Sequence, residues 1–265
     1  MLSHTHFVIV SLVHFLIYTV QAKKVKSYSI NKYSTSETNF DCPHTTKANI
    51  TIPQEFSFCF RHKQLRPNNA AKWSSVFFGN LHENWIDIKI GIEFGIFASV
   101  PWVGLHENGK TVWVAVGTMS DFDMLTWRHS CLTISFVDGH SMMYENGNLL
   151  SEDKFDEYIQ FRDKMPASVN IIAVGCVYGA YKESHPGVVT DFQLFDRILS
   201  EQEMQDWTSC NNKLLGEIVS WDMEDWFFNK TGNSSEVEYL EFEMDVCDMS
   251  NKSNHIFPIK TTFKK

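Results

Sequence analysis

Several short segments of this chain alternate apolar and polar residues with a period of two, and this alternation is what most constrains its fold. In residues 85–92, WIDIKIGI, four isoleucines alternate with aspartate, lysine and glycine. In residues 55–60, EFSFCF, three phenylalanines fall on one face. Successive side chains of a strand point to opposite faces of a sheet, so these segments predict strands with one buried face.

Turn signals separate these strands. Asn108-Gly109, Asp138-Gly139 and Asn146-Gly147 are residue pairs favoured in two-residue hairpin turns. TVWVAVG and CLTISFV are further runs of β-branched and aromatic residues. Many short strands separated by frequent turns predict an all-β fold, a two-sheet antiparallel sandwich.

One segment has a strong helix signal. Ser200 can cap a helix and Glu203, three residues later, can reach back to it as a capping box. Leu199 and Met204 complete a hydrophobic staple. We expect one short helix near residues 201–208, and residues 152–161, EDKFDEYIQF, are a second helix candidate.

The N-terminus resembles an export signal. Residues 7–20 are mainly apolar and Val20-Gln21-Ala22 offers small residues for cleavage, although no Lys or Arg precedes the apolar run. The sequence therefore predicts a signal peptide over residues 1–22, a loose N-terminal segment over 23–40, a domain over 41–247, and a tail or linker start over 248–265. The apolar run is too short to span a bilayer comfortably, and no transmembrane segment is expected in this chain.

Cysteines and sequons agree with export. Six cysteines, an even number, suit an oxidising compartment. Four Asn-x-Ser/Thr sequons predict N-glycosylation at Asn49, Asn229, Asn233 and Asn251. We therefore expect a secreted or extracellular protein.

Charge and motifs exclude several function classes. The formal net charge of −9 and the lack of Lys and Arg clusters argue against nucleic-acid partners. The sequence contains no Gly-x-Ser-x-Gly, His-Glu-x-x-His or Cys-x-x-Cys motif. Asp222, Glu224 and Asp225 are close together, but on a strand Glu224 would face away from its neighbours. We expect no enzymatic activity.

The ordered motifs resemble a known family. FSFCF, WRHSC, the Asn146-Gly147 turn, SVNIIAVG and GVVTDFQLFDRILSEQEM follow one another as they do in pentraxins and the wider laminin-G-like, concanavalin-type jelly rolls. The last segment is the most specific match, and the resemblance covers roughly residues 56–226. It implies a jelly-roll sandwich whose helix packs on one sheet near the end of the domain.

The resemblance also implies a disulfide between Cys59 and Cys131. Cys210, just past the expected helix, and Cys247, at the end of the domain, are expected to pair as a staple for the C-terminal strands. Cys42 and Cys176 are left open, either bridged or free.

Pentraxins bind ligands through calcium, and the resemblance places Glu83 and Asn84 where the family has an Asp-Asn pair. Where the family has further acidic ligands, residues 176–179 supply no carboxylate, and Glu183 is the one remaining candidate donor. Calcium takes six to eight oxygen ligands, so this set is small. A calcium site is therefore expected to be absent or weak, with Glu83 and Asn84 in a solvated turn, and no other cofactor is expected.

Tyr178 and Tyr181 lie in the altered loop and are candidates for stacking on a ligand. Trp85, Trp102 and Trp113 could stack on sugar rings as well, but in a chain so rich in phenylalanine we expect them in the core.

These observations predict an extracellular recognition module that binds a glycan or protein ligand, secreted alone or as the ectodomain of a larger receptor. Two alternatives remain. One is a glycan hydrolase on the same jelly roll that uses Glu224, and the other is a purely structural spacer.

Overall fold

The computed structural model describes residues 24–30, 44–45, 50–64, 72–81, 88–97, 100–117, 126–165, 168–177, 183–184, 187–211, 214–226, 239–245 and 247. The expected signal peptide over residues 1–22 and the tail over 248–265 lie outside these residues.

Sixteen strands are present in this part of the chain. They are β1 (Lys24–Ile30), β2 (His44–Thr45), β3 (Glu55–Gln64), β4 (Lys72–Leu81), β5 (Ile88–Phe97), β6 (Val100–Glu107), β7 (Lys110–Ala115), β8 (Arg128–Ser135), β9 (His140–Glu145), β10 (Asn148–Lys154), β11 (Ile171–Val174), β12 (Cys176–Val177), β13 (Glu183–Ser184), β14 (Gly187–Phe195), β15 (Val219–Ser220) and β16 (Tyr239–Asp245).

The strands form two large antiparallel sheets. The eight-stranded sheet has the order β10-β9-β8-β3-β14-β1-β16, with β15 also pairing with β14. The six-stranded sheet has the order β2-β11-β4-β5-β6-β7, and β12 pairs with β13 separately. Consecutive strands of the sheets are joined both by hairpins and by crossovers between the two sheets. The predicted all-β, jelly-roll type sandwich is confirmed.

The core lies between the sheets and is largely aromatic. Phe58 of β3 is fully buried, and its ring centroid lies 5.6 Å from those of Phe78 on β4 and Phe94 on β5, both edge to face. Phe56 and Phe60 lie on the same face of β3 and are also fully buried. The alternating phenylalanines of the sequence thus face the second sheet, as the period-two pattern predicts.

The prediction of a loose segment over residues 23–40 is wrong for the first part of that range. Lys24–Ile30 forms β1, which pairs with β14 on one side and β16 on the other, so the fold begins before residue 41. The segment is polar, but its backbone pairs through hydrogen-bonded ladders with both β14 and β16. Trp221 Nε1 and Thr190 Oγ1 both donate to the carbonyl of Lys26, each at 2.6 Å.

The predicted capped helix is confirmed as α2 (Glu201–Ser209). The Ser200 side chain accepts from the Glu203 backbone N–H, and the Glu203 carboxylate accepts from the Ser200 backbone N–H. Leu199 and Met204 are buried in one cluster, as a hydrophobic staple requires. The helix packs on the outer side of the eight-stranded sheet.

Two local features differ from the prediction. The second helix candidate is helical over α1 (Asp156–Arg162), so α2 is not the single helix of the fold. Its Tyr158 and Phe161 are buried against Phe136, which explains why the segment folds as an amphipathic helix. Further along, a short 3-10 turn over Trp221–Met223 follows β15, in place of the strand considered for Asp222, Glu224 and Asp225.

Both predicted disulfides are present. Cys59 and Cys131 face each other directly across β3 and β8, with Cα atoms 4.1 Å apart. Cys210 at the end of α2 is bonded to Cys247, with Cα atoms 5.7 Å apart. Cys42 lies outside the described residues.

Two of the three predicted hairpin turns have the expected geometry. Asn108-Gly109 and Asn146-Gly147 have positive φ at both residues, as a type I′ turn requires. Between Ser135 and His140 the loop instead has four residues. Its first residue, Phe136, is held in the core and its N–H donates to Gln54, so it cannot extend the hairpin ladder.

No helix among the described residues is long and apolar enough to cross a membrane.

Candidate functional site

The candidate site lies on the face of the six-stranded sheet that points away from the core, which we call the outer face. Strand register places side chains there in two adjacent rows across β4, β5, β6 and β7. The first row is Phe77, Glu93, Gly104 and Trp113, and the second is Gly79, Gly91, His106 and Thr111.

Glycines in these rows make room for aromatic rings. A Cβ atom on Gly104 would lie 2.7 to 3.0 Å from three neighbouring carbons of the Trp113 six-membered ring. The ring therefore covers Gly104 closely. In the same way, a Cβ on Gly91 would lie 2.7 Å from Cε2 of Phe77. The glycines fix where the rings can lie, because a larger residue would displace them.

Trp113 differs from Phe77 in its exposure. Phe77 is fully buried, whereas 40% of the Trp113 surface is exposed. β7 is the last strand in the order of the six-stranded sheet. Exposed tryptophan at this edge is a flat apolar platform with a polar indole N–H. The expectation that Trp113 belongs to the core is therefore wrong.

A chain of hydrogen bonds runs beside this platform. His106 Nε2 lies 3.0 Å from Glu93 Oε2, and His106 Nδ1 lies 2.9 Å from Thr111 Oγ1. Glu93 and His106 are buried, while Thr111 is partly exposed. The imidazole meets Trp113 edge to face, with ring centroids 5.7 Å apart, and meets Phe77 at 6.1 Å. The two aromatic rings and two hydrogen bonds hold the imidazole in one orientation.

The outer face thus combines an exposed aromatic surface with an oriented hydroxyl. Sites for small ligands commonly pair apolar side chains with a few polar groups that fix orientation. An indole face complements the apolar face of a sugar ring, and a side-chain hydroxyl can bond to one of the ring hydroxyls. Trp102 of β6 also points to this face, and its buried indole Nε1 has no hydrogen-bond acceptor among the described residues.

A second polar cluster lies beneath α2 and is enclosed. Arg61 donates to Asp191, and its guanidinium carbon lies 4.3 Å from the centroid of the Trp207 ring. Burial lowers the pKa of Arg61, opposed by the charge of Asp191. Burial, with the charges of Arg61 and His62, also lowers the pKa of His129 well below its ordinary value. Because α2 covers these groups, we assign them to the attachment of the helix and not to ligand binding.

Most site residues expected from the sequence lie outside the described residues. These are Glu83, Asn84, Tyr178 and Tyr181, and also the four sequon residues Asn49, Asn229, Asn233 and Asn251. Glu183 lies in β13, and its side chain is not described. The described residues include no group of three or more His, Cys, Asp or Glu side chains that could hold a metal ion.

Glu224, the residue that the alternative hydrolase function would use, lies in the described part of the chain. Glu224 follows the 3-10 turn over Trp221–Met223 and is partly buried, while Asp222 and Asp225 are exposed. The three residues do not lie on one strand, so the expected alternation among them does not apply.

Sequence reasoning missed Glu93, His106 and Thr111. A signal was available, because Asn108-Gly109 fixes the register of β6 and β7 and sets His106 opposite Thr111 and Gly104 opposite Trp113. The glycines at outward positions of neighbouring strands were a further sign of rings lying over the sheet. The contact of Glu93 with His106 could not be predicted in this way. The residues that connect β5 to β6 contain no turn signal from which the register of the two strands could be inferred.

Comparison with known proteins agrees with the fold. No protein-family model matches the sequence, and no curated protein matches it. The native heptameric SAP-like pentraxin from Limulus polyphemus matches with a TM-score of 0.58 and 18% identity, over 84% of this chain and 97% of that one. The full extracellular region of zebrafish Gpr126/Adgrg6 matches with a TM-score of 0.54 and 14% identity, over 77% of this chain. This chain spans 25% of the length of that receptor region. The chain therefore has the jelly-roll fold of that pentraxin.

Proposed function

We propose that this chain is an extracellular, non-enzymatic recognition domain that binds a glycan on the outer face of its six-stranded sheet. The observation that carries the proposal is Trp113, which is 40% exposed and lies directly over Gly104. A large aromatic ring held over a glycine costs little entropy to order on binding, because the ring is already fixed. The neighbouring Thr111 hydroxyl supplies a polar contact at a defined position.

The extracellular assignment is supported by two disulfides, which persist in oxidising compartments. The export signal expected over residues 1–22 and the four sequons support it from the sequence. Under this proposal the domain is secreted alone or forms the ectodomain of a larger receptor.

A glycan array followed by titration calorimetry on the strongest binder tests the proposal. We expect Trp113→Ala to weaken binding by about 10-fold or more, as removal of a central aromatic contact does. Val112→Ala is the matched control, because Val112 is the adjacent residue, is 50% exposed and points to the opposite face of β7. We expect this control to bind as the unmodified protein does.

Two outcomes would contradict the proposal: no glycan bound above background, or equal binding by Trp113→Ala and the unmodified protein. If the domain binds a protein partner instead of a glycan, and Trp113→Ala abolishes that binding, the outer face is a recognition surface for protein. The absence of any saturable ligand would favour the structural spacer.

One observation favours a second candidate function. Glu93, His106 and Thr111 place a carboxylate, an imidazole and a hydroxyl in the order of a hydrolase triad, although here Nδ1 and not Nε2 of the imidazole faces the hydroxyl. In that function Thr111 would be the nucleophile on an ester or glycosyl ester. Turnover of an activated ester such as p-nitrophenyl acetate that is lost in Thr111→Ala and kept in Thr111→Ser would favour it. Equal rates for the protein and both variants would exclude it.

A further inference from the structure

We propose that β7 is a pairing edge, at which two copies of this chain join their six-stranded sheets into one continuous antiparallel sheet that carries two Trp113 rings on its outer face. The pairing itself does not depend on the proposed function, whereas the composite glycan site that it creates rests on that function.

The edge of β7 presents a defined set of backbone groups. Asn108-Gly109 is a two-residue hairpin turn, so Glu107 and Lys110 exchange backbone hydrogen bonds, and every second residue of β7 then bonds to β6. The N–H of Val116, six residues after Lys110, donates to the carbonyl of Pro101 at 2.8 Å, in agreement with this alternation. The backbone groups that point away from β6, with no partner among the described residues, are those of Thr111, Trp113 and Ala115.

β7 lacks the features that protect the other edges of the two large sheets. Natural edge strands are blunted by charged residues, bulges, proline or short length. β2 has two residues, β16 carries three carboxylates, and β10 has a bulge after Leu149 and ends in the charged residues 152–154. β7, by contrast, pairs with β6 in regular register, and its one charged residue is Lys110 at its end. Among the described edges, β7 is therefore the one suited to pairing.

The side chains at the centre of β7 are apolar and exposed on both faces of the sheet. Val112 is 50% exposed on the face that continues the core, and Trp113 is 40% exposed on the outer face. The Trp113 ring lies over Gly104 of β6, so it extends away from the edge and leaves the edge open. A strand added to β7 would therefore gain both backbone hydrogen bonds and cross-strand apolar contacts.

A second copy fits this edge because antiparallel pairing makes β7 its own complement. With a twofold axis at Trp113, Thr111 lies opposite Ala115 of the partner copy, and Val112 lies opposite Val114 of the partner copy. All the outward residues then form bonded pairs, three pairs with two hydrogen bonds each. An axis at Val112 would place Ala115 opposite the hairpin turn and leave only two such pairs. The axis at Trp113 is therefore the favoured register.

Charge and size set the strength of the contact. The chain has a formal net charge of −9, but none of its carboxylates lies on β7. With the axis at Trp113, the two copies of Lys110 are six residues apart along the paired strands, about 20 Å, which exceeds the Debye length of about 10 Å. β7 contributes six residues from each copy, whereas a standard interface has about 20–30 residues a side. We therefore expect a weak dimer that forms as the concentration rises.

The pairing creates a composite site to which the partner copy contributes. Each Trp113 ring lies over its own Gly104, and the two glycines are three strand spacings apart, about 14 Å. Both rings lie on the same face of one sheet. Two neighbouring glycan chains on a surface can therefore bind together, and linking two binding events raises the overall affinity.

Sedimentation equilibrium over protein concentrations from about 1 μM to about 1 mM measures the pairing. We expect a monomer–dimer equilibrium. Ala115→Pro removes an outward N–H and leaves the bonds to β6 complete, so it should weaken dimerisation at least about 10-fold. Ala115→Ser keeps the N–H and is the matched control. A monomer at every concentration, or equal dimerisation by the two variants, would overturn the proposal.

Cysteine cross-linking tests the register without a proline. In a bonded antiparallel pair the Cα atoms are about 5.5 Å apart, which a disulfide can bridge. A mixture of the Thr111→Cys and Ala115→Cys proteins should therefore form a disulfide between the two introduced cysteines, identified by peptide mapping. Neither protein alone should form one through that cysteine, because the like positions lie about 14 Å apart. No cross-link in the mixture, or a cross-link in either protein alone, would contradict the pairing.

Hydrogen exchange distinguishes a second copy from another partner. We expect the outward amides of Trp113 and Ala115 to become protected as the concentration of the domain alone is raised. Protection that appears only when a different protein is added to a monomeric domain would show that the edge takes another partner, and the proposal would fail.

The composite site is tested on a glycan array printed at high and low density. We expect Ala115→Pro to lose several-fold in signal at high density, while its calorimetric affinity for the same glycan in solution stays that of Ala115→Ser. Equal signals from both variants at high density would overturn the composite site and leave the proposed function standing. If no glycan binds, the proposed function and the composite site both fail, and sedimentation still decides the pairing of β7.

Discussion

Arg61 donates a hydrogen bond from Nε to Oδ2 of Asp191 at 2.9 Å, and both side chains are buried although 130 residues separate them in the sequence. Arg61 also donates from Nη2 to the carbonyl of Trp207 at 2.7 Å and lies over the indole of that residue. The other Asp191 oxygen accepts from Gln193 Nε2 at 3.0 Å. The pair thus connects β3 and β14 to the helix α2, which covers it.

Removing the charge of Asp191 should destabilise the domain strongly. Asp191→Asn removes the described counter-charge of the buried Arg61 guanidinium, and breaking a buried ion pair typically costs about 3–5 kcal/mol. Asparagine tolerates the left-handed backbone of this position, where φ is 52°. Unfolding in guanidinium chloride measures the loss. Asp191→Ala, which adds backbone strain, should lose about 1 kcal/mol more. A loss below about 1 kcal/mol in Asp191→Asn would show that the pair contributes little.

Acid should destabilise the domain through its buried histidines. Burial lowers the pKa of His62 to about 3, and the charge of Arg128 contributes. Histidine in an unfolded chain has a pKa near 6.5, so between about pH 6.5 and pH 3 the unfolded state binds a proton that the folded state does not. Stability therefore falls as the pH falls through this window. From pH 7.5 to pH 5 His62 alone contributes a loss of about 2 kcal/mol.

His62→Gln tests this assignment. The glutamine does not titrate, so between pH 7.5 and pH 5 the variant should lose about 2 kcal/mol less than the unmodified protein, whatever its stability at neutral pH. The measurement is a series of guanidinium chloride unfolding curves at fixed ionic strength. Parallel pH dependence in the two proteins would assign the acid sensitivity to other groups. His129, whose pKa is also lowered, should account for part of the remaining slope.

Each disulfide should contribute several kcal/mol. The Cys59–Cys131 bond closes a loop with a sequence separation of 72, and the Cys210–Cys247 bond one of 37. The chain-entropy model gives about 4.4 kcal/mol for the first loop and about 3.8 kcal/mol for the second. We expect losses near these values in the paired alanine variants, measured by unfolding in urea. Non-reducing peptide mapping provides the control, and Cys59 linked to a cysteine other than Cys131 would contradict the pairing.

Calcium should have little effect on stability or ligand binding. We propose that the few oxygen donors at Glu83, Asn84 and Glu183 hold calcium weakly or not at all. A site with Kd near 1 mM would add only about 0.7 kcal/mol at 2 mM calcium, whereas a site with Kd near 1 μM would add more than about 4 kcal/mol. We therefore expect a small or absent change in melting temperature with millimolar calcium or excess EDTA, and glycan binding that survives EDTA. An increase of several degrees that disappears in Glu83→Ala would establish a calcium site.

Local patterns determined much of this fold. The phenylalanines of β3, the turns at Asn108-Gly109 and Asn146-Gly147, and the capping box at Ser200 and Glu203 all depend on residues that are neighbours in the sequence, and each has the predicted structure. The order of motifs also pointed to the jelly roll and to the pairing of Cys59 with Cys131, which lie directly opposite each other on adjacent strands.

Contacts between distant segments decided the rest. Lys24–Ile30 has no strong apolar alternation, and it is a strand because β14 and β16 supply backbone partners on both sides. Glu93 reaches His106 only through the pairing of β5 with β6, and Arg61 meets Asp191 only where β3 pairs with β14. A buried polar group needs a partner, and that partner is chosen by strand register and by what covers each sheet face. The sequence by itself therefore determined the strands, turns and cap of this protein, whereas only the tertiary structure decided which polar residues meet, because that depends on pairing between segments far apart in the chain.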